Sequence, residues 1–269
     1  MRYKAGTIKL SPKDGALLKI AGTATHITNG QLFELARLKS IEHDRRVYNW
    51  RVERLVQHDL LRNQEPLYRG SDPVYSITRN GVAGLEQLGI HLLSVYVDGK
   101  EAGVKHQVQH GIELNTIHIA LLASGALADW LPAKFLQALN LTRPFNYAKY
   151  YDAVATVYVG AERIELAIEY EQTLKRPTER YAAIKAKFDK EERADAILFV
   201  VPTWEICLPL RSQFTNTRKD LLFAKLPDLT ADRLDATVEH NYLTVTLRQA
   251  LERIASQKNG PTRVRSGHV

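Results

Sequence analysis

Apolar residues recur at helical spacing in the first ninety positions and in short strand-like runs further on. The spacing predicts helices over residues 14–21, 28–38 and about 42–59. Two short strands follow, over residues 60–62 and 74–78, with a turn containing Gly, Asp and Pro between them, which is typical of a hairpin. A small helix over residues 80–88 then ends at Gly89.

The third predicted helix has two unlike sides. Its apolar side is formed by Val47, Trp50, Leu55 and Val56. Its other side carries the arginines Arg45, Arg46, Arg51 and Arg54. A helix of this kind suits the major groove of DNA, with its N-terminal half nearest the bases. We therefore expect these arginines to bind double-stranded DNA, and Arg69, in the turn of the hairpin, to reach a phosphate or the minor groove.

The order helix, helix, helix, hairpin, helix resembles a winged helix-turn-helix. The likeness covers roughly residues 14–93 and includes a "YxLT..G" pattern at the end of the wing, here Tyr75, Ile77, Thr78 and Gly81. The alternative is a protein-docking module whose arginines form a solvated helix face.

The remainder of the chain alternates helices and strands. A largely apolar helix is predicted over residues 104–122, and a strand hairpin over 152–159 and 163–170. Further helices are predicted over 178–188, 205–214 and 245–257, with strands over 196–201 and 221–226. This order predicts an α/β domain with a mixed central sheet.

Carboxylates gather at the ends of the predicted hairpin. Asp152 opens its first strand, and Glu169 and Glu171 share one face of the second because side chains alternate along a strand. Acidic groups so close on a half-buried surface repel each other unless a cation joins them. Mg²⁺ prefers such oxygen ligands, so the window predicts a metal site for phosphodiester chemistry. The alternative is a pair of solvated charges at an exposed strand end.

The predicted helix over residues 104–122 also carries polar groups. Glu113 is unusual there, because an unpaired buried carboxylate is costly. His110 and His118 lie two turns apart on similar faces, and we favour satisfied buried histidines over metal ligands.

Helix, hairpin, helix, strand resembles the core of the PD-(D/E)XK restriction-endonuclease-like superfamily. The resemblance implies Glu113, Asp152 and Glu169 as ligands of Mg²⁺ or Mn²⁺. Glu171 stands where lysine is usual, and Tyr151 replaces the usual proline. Lys175, just past the strand, would then supply the catalytic cation, and Arg180, Lys185 and Lys187 would hold the flanking phosphates.

The whole chain resembles the replication-relaxation family of plasmid and mobile-element proteins. The residues that carry this likeness are His110, Glu113, Asn115, the YDA of residues 151–153, the IEYE of 168–171 and the ILFVVP of 197–202. The resemblance implies a DNA-binding protein acting in replication, relaxation or mobilisation, with a nuclease-like domain that cleaves or nicks DNA. The alternative is a transcription or replication regulator whose second domain only dimerises or binds a partner.

The composition of the chain indicates its cellular compartment and the charge of its partner. The net charge is +7, and residues 1–90 hold 14 Lys+Arg against 9 Asp+Glu, the basic balance of a nucleic-acid binder. One cysteine excludes an internal disulfide, and no apolar run approaches the ~20 residues of a membrane helix. The opening residues lack the apolar segment of a secretory signal. We therefore expect a cytoplasmic protein with no membrane contact, acting as a homodimer on DNA.

These patterns together predict an α+β protein of two domains. A winged helix-turn-helix DNA-binding domain occupies residues 1–93, a linker 94–103, and a PD-(D/E)XK nuclease-like domain 104–257. The last stretch, 258–269, is predicted to be a disordered basic tail.

Overall fold

The computed structural model describes residues 8–64, 72–93, 105–142, 147–175 and 179–259. The chain divides into two compact units, Met1–Ala123 and Ser124–Val269. Each unit mixes helices and strands, so the predicted α+β class is confirmed. The whole of the predicted linker and nearly all of the predicted tail lie outside the described residues.

The described part of the first unit contains five helices and a small sheet. The helices are α1 (Pro12–Ala24), α2 (Asn29–Leu38), α3 (Arg45–Gln57), α4 (Arg79–Gln87) and α5 (Lys105–Ala123). The strands are β1 (Ile27–Thr28), β2 (Leu61–Asn63) and β3 (Val74–Ile77), in the order β1-β3-β2. The predicted hairpin forms as β2 and β3, whereas the two-residue β1 was not predicted because so short a strand leaves no pattern.

Polar side chains start the helices of this unit. Ser11 and Thr28 each form a capping box with the residue three positions later, Asp14 and Gln31 respectively. Each box satisfies backbone N–H groups that the first turn leaves without helical partners. Between the helices lies a core of fully buried leucines, among them Leu17, Leu32 and Leu55. These local signals explain why the helices of this unit were predictable from the sequence.

Helix α5 packs on the first unit. The Asn115 Nδ2 donates a hydrogen bond to the His26 carbonyl at 2.7 Å, and the Gln31 Nε2 donates to the Ile112 carbonyl at 2.7 Å. Ile119 and Leu122 pack against the leucine core. We predicted this helix as the start of the second domain, and the structure instead assigns it to the first unit. The helix pattern alone carries no information on which core the apolar side covers.

The second unit is built on a mixed seven-stranded sheet. Its strands are β4 (Leu127–Pro132), β5 (Ala153–Val159), β6 (Glu162–Tyr170), β7 (Ala196–Val201), β8 (Asp220–Lys225), β9 (Thr237–His240) and β10 (Leu243–Thr246). They lie side by side in chain order, β6, β7 and β8 being parallel and the other neighbours antiparallel. The helices are α6 (Ala133–Thr142), α7 (Glu179–Phe188), α8 (Trp204–Ser212), α9 (Leu226–Asp232) and α10 (Leu247–Asn259).

The predicted hairpin over residues 152–170 forms as β5 and β6, with Ala153 opposite Ile168. Its turn contains Gly160 at φ +60°, a conformation that glycine adopts without strain. Strands β4, β9 and β10 were not predicted. The first of them ends in Trp130-Leu131-Pro132, and proline weakened the strand signal although it is tolerated at a sheet edge.

Stacked aromatic rings fill one side of this sheet. The Phe199 ring lies 5.3 Å from the ring of Phe223 and 5.1 Å from that of Phe214, and Phe188 packs against the same group. Among the residues that the structure describes, no helix is both long and apolar enough to cross a membrane.

Candidate nucleic-acid interface and acidic centre

Helix α3 begins at a strong N-cap. The Asp44 carboxylate accepts hydrogen bonds from the backbone N–H groups of Arg46 at 2.7 Å and Val47 at 3.0 Å. The cap satisfies two backbone N–H groups of the first turn, and Arg45 and Arg46 in that turn are exposed.

The buried side of α3 differs from the predicted one. It is formed by Tyr48, Val52 and Leu55, spaced four and three residues apart. Trp50 is 55% exposed and Val47 38% exposed, so the expectation that both belong to the apolar back is wrong. Tyr48 takes that place because its ring is buried while its hydroxyl donates to the Asn29 carbonyl at 2.9 Å.

Two of the predicted DNA-binding arginines bind carboxylates within the unit. Arg51 lies 3.3 Å from both Asp14 and Glu42, and Arg54 lies 2.5 Å from Asp14. The Asp14 side chain is fully buried. Burial alone would raise its pKa, but hydrogen bonds from Ser11 and from Arg54 outweigh that effect and hold the pKa below its usual value. Arg51 and Arg54 therefore tie α3 to α1.

The other predicted arginines have different surroundings. The Arg45 guanidinium lies 4.7 Å from the Phe33 ring centroid and 5.3 Å from that of Tyr48, as in a cation–π contact. Within the described part of the chain, the exposed Arg46 side chain has no hydrogen-bond or ion-pair partner. Arg69 lies outside the described residues. Among the described residues, no carboxylate pairs with Arg45 or Arg46, and Arg45 packs on two aromatic rings. Arg46 is thus the arginine of α3 whose side chain is most open to a ligand.

The acidic residues of the second unit lie where β5 begins and β6 ends. The Asp152 backbone N–H donates to the Ile168 carbonyl at 3.1 Å, and the Tyr170 N–H donates to the Asp152 Oδ2 at 2.8 Å. These bonds hold the aspartate carboxylate beside the last residues of β6. Glu169 and Glu171, 5% and 6% exposed, follow on that strand end.

Lysines accompany both buried glutamates. The Lys149 ammonium forms an ion pair with Glu169, and the Lys175 ammonium forms one with Glu171. Lys175 was predicted as the cation of this site, but Lys149 was missed. Lys149 lies three residues before Asp152, in a segment where the sequence shows no helix or strand pattern. Its closeness to Asp152 in the chain was therefore the only available signal.

Burial dominates the electrostatics of Glu169. It raises the pKa of Glu169 to about 7, Lys149 opposes the shift, and the negative charge of Asp152 adds to it. The pairing of Ala153 with Ile168 and the hydrogen bond from the Tyr170 N–H to Asp152 put the two carboxylates at the same strand ends, close enough for their charges to interact. A carboxylate with a raised pKa, a second carboxylate and a lysine therefore meet at one strand end, which is the arrangement of many sites that move protons or bind phosphate.

Glu113 is a residue of the first unit. It is half-buried on α5, and its Oε1 accepts a hydrogen bond from the Gln109 Nε2 at 2.9 Å. Its meeting with Asp152 and Glu169, implied by the superfamily resemblance, stays a prediction.

The side chains fit a divalent ion only in part. In the described ranges, no three or more His, Cys, Asp or Glu side chains are grouped so as to hold a metal ion. Asp152 and Glu169 offer two carboxylates, but Lys149 lies against Glu169 and would have to move aside. Lysine ammonium groups here balance the charge that a metal would otherwise balance.

Helix α7, which follows the β5–β6 hairpin in the chain, carries two exposed cations. Arg180 and Lys187 are exposed and lie two turns apart on α7. Lys185, predicted with them as a phosphate ligand, pairs instead with Asp189 at 3.0 Å.

Comparison with protein-family models, with curated proteins and with solved structures found no match.

Proposed function

We propose that this protein binds double-stranded DNA through the outward side of α3 and acts in the replication, relaxation or mobilisation of a plasmid or mobile element. The observation that carries DNA binding is the division of α3 into a packed side and an exposed, cationic N-terminal half. The order of elements in the first unit supports a winged helix-turn-helix, with β2 and β3 as the wing. The role on a plasmid rests on the family resemblance of the sequence.

The charges that remain unpaired decide which residues contact phosphate. Arg51 and Arg54 have their charge compensated by Asp14 and Glu42, so their loss would destabilise the unit more than it weakens DNA contact. Arg46 has its charge free for a phosphate or a base. The proposal therefore gives Arg46 the main electrostatic role on this helix.

The test is fluorescence anisotropy of the full chain on duplex DNA over a range of salt concentrations. Arg46→Ala is expected to weaken binding and to flatten the slope of log affinity against log salt by about 0.9. Arg253→Ala is the matched control, because it removes the same charge from an exposed position on α10. Equal salt slopes for the wild type and Arg46→Ala would contradict α3 as the DNA contact. Absence of any salt-dependent DNA binding would favour the protein-docking alternative.

A second function, divalent-ion-dependent cleavage of DNA, is favoured by one observation. Asp152 and Glu169 lie at neighbouring ends of paired strands, and Lys149 forms an ion pair with Glu169. The strand order of the second unit is compatible with a nuclease-like core, although the helix that carries Glu113 packs on the first unit. Asp152 and Glu169 would hold the ion, which when bound lowers the pKa of a coordinated water. Lys149 would then face the phosphate in place of the missing lysine at Glu171.

Calorimetry with Mg²⁺ and Mn²⁺, followed by a nicking assay on supercoiled plasmid, tests this second function. Glu169→Gln and Asp152→Asn are expected to abolish both ion binding and nicking. Glu162→Gln, at the other end of the same strand, is the control that should keep both. If the wild type binds no divalent ion at millimolar concentration, the regulator function replaces the nuclease function.

A further inference from the structure

The outward side of α3 combines an exposed cation with side chains that can read bases. Arg46, Asn49 and Trp50 are exposed and lie at helical spacing on this side, with the partly exposed Val47 beside them. In the described part of the chain the Asn49 amide has no hydrogen-bond partner. Asp44 is engaged as the N-cap, so the N-terminal half of the helix offers a ligand no free carboxylate of its own.

Trp50 is a large apolar side chain held in place at the surface. The Arg54 guanidinium lies 4.9 Å from its ring centroid, and Arg54 is itself anchored on the buried Asp14. A ring fixed in this way loses little conformational freedom when it binds. Trp50 is 55% exposed although tryptophan is on average a highly buried residue type, so much of its ring is open to a ligand.

The chemistry of these side chains matches one kind of base pair. An asparagine amide donates to and accepts from the adenine edge in the major groove, and apolar side chains contact the thymine methyl group. Resting on the DNA binding proposed above, we infer that α3 reads A·T pairs, with Asn49 on an adenine and Trp50, helped by Val47, on a thymine methyl. Arg46 contacts the adjacent phosphate.

Charge favours DNA over a protein partner for this side. The exposed Arg46 stands beside the apolar pair, and the first ninety residues are basic. Glu53, the one acid on the same side, lies in the C-terminal half and accepts a hydrogen bond from the Gln57 amide at 3.1 Å. The N-terminal half is the part that enters a groove.

The experiment selects a binding site for the full-length protein from a random-sequence duplex pool and then alters the selected duplex. Replacing thymine by uracil removes only the methyl group. We expect this replacement at the contacted thymine to weaken the affinity of the wild type for the duplex by about four-fold. Trp50→Ala is expected to bind the original duplex more weakly than the wild type does, and its affinity should not change further when the methyl group is removed. Asn49→Ala is expected to lose about ten-fold in its preference for adenine over the other bases at one position. Gln87→Ala, exposed on α4, is the control that should behave as the wild type.

Three results would overturn the inference. The first is a selected site without A·T pairs, and the second is an equal loss on uracil substitution in the wild type and Trp50→Ala. In both cases salt-dependent DNA binding would persist, so the proposed function would stand while the base assignment fails. The third is absence of duplex binding by the wild type, which removes the proposed function as well. Circular dichroism of Trp50→Ala and recovery in Trp50→Phe separate a lost contact from misfolding.

Discussion

At the scale of single residues, the buried carboxylates do the most to determine local electrostatics. Asp14 caps α1 and anchors two arginines of α3, whereas Glu169 is buried beside another acid. A buried carboxyl group thus has its pKa lowered in one unit, at Asp14, and raised in the other, at Glu169. The difference arises because Asp14 accepts several hydrogen bonds while burial dominates at Glu169.

Removing the Asp14 charge should destabilise the protein. Asp14→Asn leaves Arg51 and Arg54 without their buried partner, and we expect a loss of about 3 kcal/mol in the free energy of unfolding. Because the folded-state pKa is lowered, the stabilisation is present above the unfolded value of 3.8 and is lost as pH falls through the folded value. Urea unfolding between pH 7 and pH 2 measures both effects. An unchanged acid profile in Asp14→Asn would show that other groups cause the acid sensitivity.

The pKa of Glu169 should respond to its two charged neighbours in opposite directions. Lys149→Met is expected to raise it further, because the opposing positive charge is gone, and Asp152→Asn to lower it, because a repelling charge is gone. Carbon-13 NMR titration of the glutamate carboxyl measures the shift directly. pKa shifts of equal sign in the two variants would contradict the placement of both Lys149 and Asp152 beside Glu169.

At the scale of elements, close approach of two backbones determines where glycine is needed. A Cβ added at Gly81, in the first turn of α4, would lie 2.2 Å from the Leu60 carbonyl oxygen, and backbone cannot easily move away. At Gly84, one turn on, the nearest atom at 2.8 Å is the end of the Leu10 side chain, which can rotate.

Alanine substitution at these two glycines should therefore have unequal effects. Gly81→Ala is expected to lower the free energy of unfolding by about 2 kcal/mol through overpacking. Gly84→Ala should change it by less, because the gain in helix propensity offsets a movable contact. Thermal unfolding of the two full-length variants provides the comparison. A smaller loss at Gly81 than at Gly84 would contradict the close approach of the Leu60 carbonyl to α4.

At the scale of the whole molecule, the boundary between the units follows packing. Helix α5 completes the first unit through Asn115, Ile119 and Leu122. A fragment of residues 1–123 should therefore have a higher melting temperature than a fragment of residues 1–93. Thermal unfolding followed by circular dichroism measures the difference. Asn115→Ala in the longer fragment should remove part of the difference, since the His26 carbonyl loses its donor. Equal melting temperatures for the two fragments would contradict the conclusion that α5 stabilises the first unit.

Most of the local elements of this protein could be predicted from short-range signals in the sequence. Serine, threonine and aspartate caps, apolar periodicity and the glycine-containing turns are readable because each acts within a few residues. The helices α1 to α4, the hairpin of β5 and β6, and the buried strand β7 followed from such signals. The approach of Asp152 to Glu169 was also foreseeable, because a hairpin joins them.

Two features could be learned only from the tertiary structure. They are the ion pairs that compensate the buried charges, and the unit against which helix α5 packs. Asp14 lies 37 positions before Arg51, and nothing in the spacing indicates that they pair. Lys149 gains its role only when Glu169 is buried beside it. The apolar pattern of helix α5 does not indicate which unit it joins, and its hydrogen bonds with His26, just before β1, and with Gln31 of α2 connect it to the first unit. Each of these outcomes depends on contacts between residues far apart in the chain, which pattern and propensity do not encode.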